Sequence, residues 1–200
     1  MSCAVIYAGT AHRLAELKLE SETGPLNTIP FAEIRHPPVA SVVLGFRRGE
    51  VAHPCQGFGV LIPKSEGFSI LGTIFSSALF PNRAPAGYLT LTSYLGGERS
   101  PELALLPVEE IYQLVQKDLR RLFGVTGDPS FRHCTVHPKA IPQYTVGYGR
   151  YRALLDSLEA EAPHLYFAGQ YRDGISLSDS LLSGCKIAER VATTLGSPLP

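Results

Sequence analysis

The chain has 200 residues, with 18 basic and 18 acidic side chains and no formal net charge at pH 7. That length suits one domain or two small ones. No basic patch gives nucleic-acid binding electrostatic support, and no apolar run approaches the ~18–20 residues that a membrane helix needs.

The opening MSCAVIYAGTAHR lacks a basic segment followed by a long apolar core, so it does not read as a secretory leader. Within it, CAVIYAG is a short apolar run ending in Gly9, and AHRLAELKL follows at helical spacing with Ala11, Leu14 and Leu17 on one side. A strand followed at once by a helix is the start of α/β packing. After Gly24 and Pro25 the pattern changes. VASVVLGFRR (39–48) is rich in β-branched residues, and GFGVLIP, FSILGTIFSS and GYLTLTSYLGG follow, each bounded by Gly, Pro or Asn. Successive strands of this kind predict a mixed or antiparallel sheet in the middle of the chain. LPVEEIYQLVQKDLRRLFG (106–124) predicts a helix: Pro107 stands at its start, Glu109 and Glu110 in its first turn, Arg120 and Arg121 near its end, and Gly124 after it. Ile111, Leu114, Val115, Leu119 and Leu122 form its apolar face.

FRHCTVHP then reads as a strand, and IPQYTVGYGRY as an irregular approach to a helix over 151–160. The closing HLYFAGQYRDGISLSDSLLSGCKIAERV reads as strand, glycine-punctuated turn and amphipathic helix, with the TLGSPLP tail expected to fray. The order α/β, β-rich, α/β predicts an α/β (α+β) fold in which a central sheet is inserted into a domain made from both chain ends. The expected division is 1–20 with 131–200 for the split domain and 21–130 for the insert.

Cys3, Cys55, Cys134 and Cys185 are scattered and form no C-x-x-C pair, which points to a reduced, cytoplasmic chain without structural zinc, peripheral membrane attachment being left open. HCTVH invites a metal reading, but on a strand His133 and His137 share a face while Cys134 points away.

The closing unit carries the most chemistry. Leu165 to Ala168 form its apolar strand. Gly169 stands at the carboxyl end, where α/β sheets place their sites, and Gly174 gives a second point of close approach. Ser176, Ser178 and Asp179 are N-cap types. The helix is expected to bury Leu181, Leu182, Cys185, Ala188 and Val191, with Ser183 and Gly184 keeping one side thin. Its N-terminus presents unpaired N–H groups and partial positive charge, which suit an anion or an electron-rich ring oxygen. A helix that merely caps a buried strand has the same pattern, so both readings stand. A dinucleotide site needs G-x-G-x-x-G after a strand; the chain offers only GFGVLI at Gly57 and GYGRYR at Gly147, neither with the third glycine. GISLS misses the G-x-S-x-G elbow, and nothing supports a triad from Ser176, a histidine and Asp179.

Four segments, QGFGVLIPKSEG, ILGTIFSSALFPNRAPAGYLTLTSYLGG, HPKAIPQYTVGYGRY and LYFAGQYRDGISLSDSLLSGCKIAERV, occur in collinear order. In them the chain resembles the C-terminal part of the oxygen-dependent protoporphyrinogen oxidases, flavoproteins of the amine-oxidase-like superfamily. The resemblance implies a partial FAD-binding domain and part of a substrate domain for a planar tetrapyrrole. It implies oxidation of protoporphyrinogen IX to protoporphyrin IX, in three two-electron transfers to FAD with reoxidation by oxygen. It also implies that Gly169 and Gln170 lie near the ribityl–pyrophosphate region, and that Ile175, Ser176 and Leu177 place backbone amides at the flavin's pyrimidine edge, with Gly174 a further cofactor-binding candidate. His137 stands next to the proline where the family often has tryptophan, and would approach the ring. Leu71 is implied as a substrate wall, with Phe58 and Tyr94 as further candidates whose plainer role is core packing. Arg83 and Arg172 are available to pair with a propionate, surface ion pairing being their plainer role. No general acid or base is implied. The family's ADP-binding half has no counterpart here, so the chain is expected to hold FAD weakly or not at all by itself, and to need an N-terminal half or self-association. The alternative expectation is a non-catalytic truncated or split-half module that acts through a protein–protein interface.

Overall fold

The computed structural model describes residues 4–196. In chain order the elements are β1 (Val5–Tyr7), α1 (Ala11–Leu14), β2 (Leu19–Ser21), β3 (Gly24–Leu26), β4 (Val39–Arg47), β5 (Gly59–Leu61), β6 (Ile70–Ile74), α2 (Ser76–Leu79), β7 (Tyr88–Gly96), α3 (Val108–Phe123), β8 (Phe131–His137), α4 (Gly149–Glu161), β9 (Leu165–Phe167), α5 (Gln170–Asp173) and α6 (Leu177–Leu195). Short 3-10 turns connect several of them. No helix among the described residues is long and apolar enough to cross a membrane.

The chain divides into two compact units, one from Met1–His36 with Ile141–Pro200, the other from Pro37–Ala140. The first unit draws on both chain ends and the second is continuous. Leu26, Phe31 and Ile34 pack with Tyr151 and Tyr171, so the segment after residue 20 stays with the chain ends. The strand Phe131–His137 pairs antiparallel with β4 and so belongs to the insert. Cys3 and the last four residues of the expected fraying tail lie outside the described residues.

The insert is a five-stranded antiparallel sheet in the order β5-β6-β7-β4-β8. Strand periodicity sends alternate side chains to opposite faces. One face of β4 carries Ala40, Val42, Leu44 and Phe46, and β7 adds Leu89, Leu91 and Leu95; all are buried. Onto this face α3 lays Ile111, Tyr112, Val115, Leu119 and Phe123, three and four residues apart as a helix requires. Ser93 is buried on the same face because its hydroxyl bonds that of Thr73 at 2.9 Å. Gly124 ends α3 in the left-handed region at φ 61°. Cys134 faces this core, away from His133 and His137, as strand alternation predicts.

In the other unit β1 and β9 pair in parallel, Ile6 opposite Tyr166. Both faces of β9 are covered. Phe167 joins Leu14, Phe31, Tyr151, Leu155 and Tyr171 on one side, while Tyr166 and Ala168 meet Ile187 of α6 on the other. Two sequence expectations fail here. The first helix stops at Leu14, and Leu17 is left exposed. In α6 the residues Leu181, Leu182, Cys185 and Ala188 are exposed, and the buried face is Ser183 and Ile187 with Val191 partly covered. The reason is angular: at about 100° per residue Ser183, Ile187 and Val191 form one row, and the strand is narrow enough to cover only that row.

One polar side chain from α3 stands in the insert's core. Asp118 is 2% exposed, and its Oδ2 accepts the N–H groups of Ser69 at 2.7 Å and Ile70 at 3.1 Å, which fixes the entry into β6. Replacing it by alanine leaves two donors without acceptors. We expect Asp118→Ala to lower the unfolding free energy by roughly 2–3 kcal/mol in urea titrations, and Asp118→Asn, which keeps one acceptor oxygen, to cost less.

Candidate functional site

The bend between β9 and α6 is set by two glycines in the positive-φ region, Gly169 at 121° and Gly174 at 135°. A Cβ on Gly169 would meet the Tyr171 ring and the Gly9 carbonyl only at ordinary contact distance, so it is the φ of 121° that calls for glycine here. Ser176 caps α6: its Oγ accepts from the Asp179 N–H at 3.0 Å, and the Asp179 carboxylate accepts from the Ser176 N–H at 3.2 Å. Those bonds from Ser176 hold the Asp179 carboxyl below the usual carboxylate range. Ile175, Ser176, Leu177 and Ser178 are exposed. Among the described residues nothing takes up the N–H groups of Ile175, Leu177 and Ser178, so the bend offers three outward donors beside the positive end of a 19-residue helix.

Side chains from the α4 region hold the bend from below. Tyr144 donates to the Gln170 carbonyl, Tyr148 to that of Tyr171 at 2.8 Å, and Arg152 Nε to that of Arg172 at 2.8 Å. Burial raises the Tyr148 and Tyr171 phenols well above their ordinary range, which keeps both as neutral donors. Ser183, fully buried, accepts the Gly169 N–H at 2.9 Å and donates to the Asp173 carboxylate. Glu159 accepts from the Phe167 N–H at 2.9 Å and from the guanidinium groups of Arg172 at 2.9 Å and Arg190 at 2.6 Å. Arg172 also reaches Asp156 at 2.8 Å. The bend is thus a rigid donor platform on the unit's surface.

A second feature belongs to the insert. The sheet face opposite α3 bears Ser41, Val43 and Gly45 of β4, with Tyr94, Thr92 and Thr90 beside them on β7 and Thr135, His133 and Phe131 on β8. A groove of about 830 Å³ runs over it, walled by Ile74, Phe80, Tyr88, Tyr94 and Phe131 and edged by Arg83 and His133.

Of the flavin-side residues expected from the sequence, Gly169, Gln170, Gly174, Ile175, Ser176 and Leu177 come together in the single bend of the first unit. His137 ends β8 in the other unit, opposite Val39 and exposed. Of the three wall candidates, Tyr94 lines the groove. Leu71 is the bulged residue of β6 and sits against Gly97, and Phe58 is 71% exposed in the loop before β5; neither is in the groove lining. Sequence reasoning missed the supports Tyr144, Tyr148, Arg152, Glu159 and Ser183. It also missed the groove residues Phe80, Tyr88, Phe131 and His133. The alternation of Tyr88, Thr90, Thr92 and Tyr94 along β7 is the signal that could have exposed the groove.

A parallel strand pair under helices, a glycine bend at its carboxyl end and a separate antiparallel sheet make an α/β (α+β) fold. A solved structure from Exiguobacterium sp. 255-15, assigned as a protoporphyrinogen oxidase, superimposes with a TM-score of 0.78 at 20% identity, over 96% of this chain and 41% of that one. The family model described as flavin containing amine oxidoreductase matches residues 4–192, and the chain belongs to that family. Among curated relatives, protoporphyrinogen oxidase 2 of Arabidopsis thaliana, chloroplastic/mitochondrial, is 38% identical over 97% of this chain. The mitochondrial protoporphyrinogen oxidase of Nicotiana tabacum is 36% identical over the same share. The chain spans 39% of the length of each.

Two glycine substitutions should move stability in opposite directions. A Cβ at Gly174 would sit 2.5 Å from Asp179 Oδ2 at a φ of 135°, so Gly174→Ala strains the backbone and displaces the cap; we expect a loss of about 1–3 kcal/mol by chemical denaturation. Gly184 lies within α6 with nothing within 4 Å of its added Cβ. Gly184→Ala should therefore stabilise the chain by about 0.5–1 kcal/mol in the same assay.

Proposed function

We propose that this chain forms the flavin-facing and substrate-facing portion of an oxidoreductase that converts protoporphyrinogen IX to protoporphyrin IX in haem biosynthesis, with FAD and oxygen. The observation that carries the reading is the rigid bend with the outward N–H groups of Ile175, Leu177 and Ser178 at the positive end of α6. Those donors fit the electron-rich pyrimidine edge of a flavin. FAD, when bound, supplies the two-electron oxidation of the substrate carbon. The chain's own part is to orient that edge with Ile175, Ser176 and Leu177, to border the ribityl–pyrophosphate region with Gly169 and Gln170, and to offer an apolar wall through Tyr94. Asp179 is held ionised and Tyr148 and Tyr171 are held neutral, so none of the three changes charge near neutral pH. They are fixed supports, and we assign no general acid or base.

These 200 residues contain no G-x-G-x-x-G, and the chain spans 39% of its curated relatives. We therefore propose that flavin binding by this chain alone is weak or absent. We propose a reducing compartment such as the cytoplasm or an organelle interior, since the four cysteines are scattered along the chain without a C-x-x-C pair.

A second reading, a non-catalytic module that works through an interface, is favoured by one observation. Val5, Ile6, Leu177, Leu181 and Leu182 are all about half exposed or more. Joining this chain to the remaining portion of the Arabidopsis relative separates the two. We expect the chimera to be yellow and to generate protoporphyrin fluorescence from protoporphyrinogen with uptake of oxygen, while this chain alone does neither. A folded, flavin-loaded chimera that leaves protoporphyrinogen unchanged would sink the enzymatic reading. Within the chimera, Leu177→Pro should weaken FAD roughly three- to tenfold relative to Leu177→Ala. Proline is tolerated in the first helical turn, and the extended Ser176 at ψ 161° accommodates it, so the change removes one N–H and keeps α6.

A further inference from the structure

We infer that Arg83 is the residue that selects a carboxylate-bearing ligand in the sheet groove. The inference rests on the tetrapyrrole reading above and adds the group that recognises the substrate's acid side chains.

The groove is apolar along its floor and cationic at its edge. Ile74, Phe80, Tyr94 and Phe131 supply the flat apolar surface, and no aspartate or glutamate is among the lining residues. The serine and threonine hydroxyls in the wall are already engaged, whereas the phenols of Tyr88 and Tyr94 are neutral donors that carry no charge. Ser76 bonds Thr92 at 2.7 Å, Ser130 donates to the Gly45 carbonyl at 3.2 Å, and Thr90 donates to the Arg83 carbonyl at 3.2 Å. His133 is bonded to Thr135 at 3.1 Å.

Arg83 differs from the other arginine that the resemblance made available. Arg172 is 15% exposed at its side chain and is held by Asp156 and Glu159, so its charge is neutralised in building the bend. The Arg83 guanidinium lies 5.8 Å from the Phe80 ring centroid and, among the described residues, meets no carboxylate within ion-pair distance. Its position is nevertheless defined. Asn82 takes the left-handed conformation at φ 63°, which asparagine tolerates, and the Thr90 hydroxyl ties the Arg83 main chain to β7. An apolar planar surface edged by a cation with no counter-ion among the described residues complements a planar amphiphile with carboxylates at one side. A guanidinium binds a carboxylate through two parallel hydrogen bonds, so it reads shape as well as charge.

Protoporphyrin IX and its dimethyl ester share one ring and differ in their two carboxylates, so fluorescence titration of the full chain with each isolates this contact. We expect wild type to bind the diacid more tightly than the diester. Arg83→Ala should weaken the diacid about tenfold and leave the diester unchanged, Arg83→Lys should fall between, and Tyr94→Ala should weaken both alike. If Arg83→Ala shifts both ligands equally or neither, the assignment of Arg83 fails while the tetrapyrrole reading survives. If neither porphyrin binds wild type, or Tyr94→Ala leaves both unchanged, the groove is not the ligand surface, and both readings fall.

Discussion

The first unit is organised around one nearly buried carboxylate. Glu159 of α4 accepts from the Phe167 main chain of β9, from Arg172 of α5 and from Arg190 of α6. Four successive elements are thereby tied to a single point. A carboxylate out of water needs such partners, because an unpaired one would be strongly disfavoured. Here the requirement becomes a positioning device. It fixes where the chain leaves β9 and how α6 is rotated, and hence which backbone N–H groups face outward at Ile175, Leu177 and Ser178. The tyrosine hydroxyls and Arg152 then occupy the carbonyls of Gln170, Tyr171 and Arg172 in the bend.

The insert solves a different problem with a sheet. An antiparallel sheet can bury one face and leave the other open. The α3 side takes the aliphatic and aromatic positions of β4 and β7, and Asp118 locks the entry to β6 beneath the helix. The opposite side keeps threonines, tyrosines and small residues in register across three strands. Gly45 illustrates the fit: its added Cβ would come within 3.0 Å of Phe131 Cβ, so the glycine leaves the aromatic ring its seat on that face. A flat, partly apolar surface follows from alternation and register alone.

Each unit presents one chemically distinct surface, a donor bend in the first and an apolar groove with a cationic edge in the second. Membership of the flavin-containing amine oxidoreductase family gives both surfaces a common context. The half-exposed Val5 and Ile6 and the exposed Leu181 and Leu182 are apolar area that the first unit does not cover with its own side chains. Parallel strands are ordinarily buried on both faces within larger sheets, and a two-stranded parallel pair leaves such residues at its border.

Much of this was legible along the chain. The β-branched alternation of 39–47, the acid-first, base-last helix at 108–123 and the glycine-bounded closing unit each encode local structure through periodicity, capping and turn chemistry. So did the opposed directions of Cys134 and His133, which need only the strand's period of two. Other features required the fold. The face of α6 that is buried depends on which row of side chains a two-stranded pair can reach, and the apolar positions Leu181, Leu182 and Cys185 alone suggest the wrong one. That Arg172 is neutralised depends on partners more than ten residues away, and none of the described residues does the same for Arg83. Sequence periodicity fixes what each segment becomes, because those forces act within a few residues. Which charges are paired, and which face stays open, is decided by contacts between residues far apart in the chain.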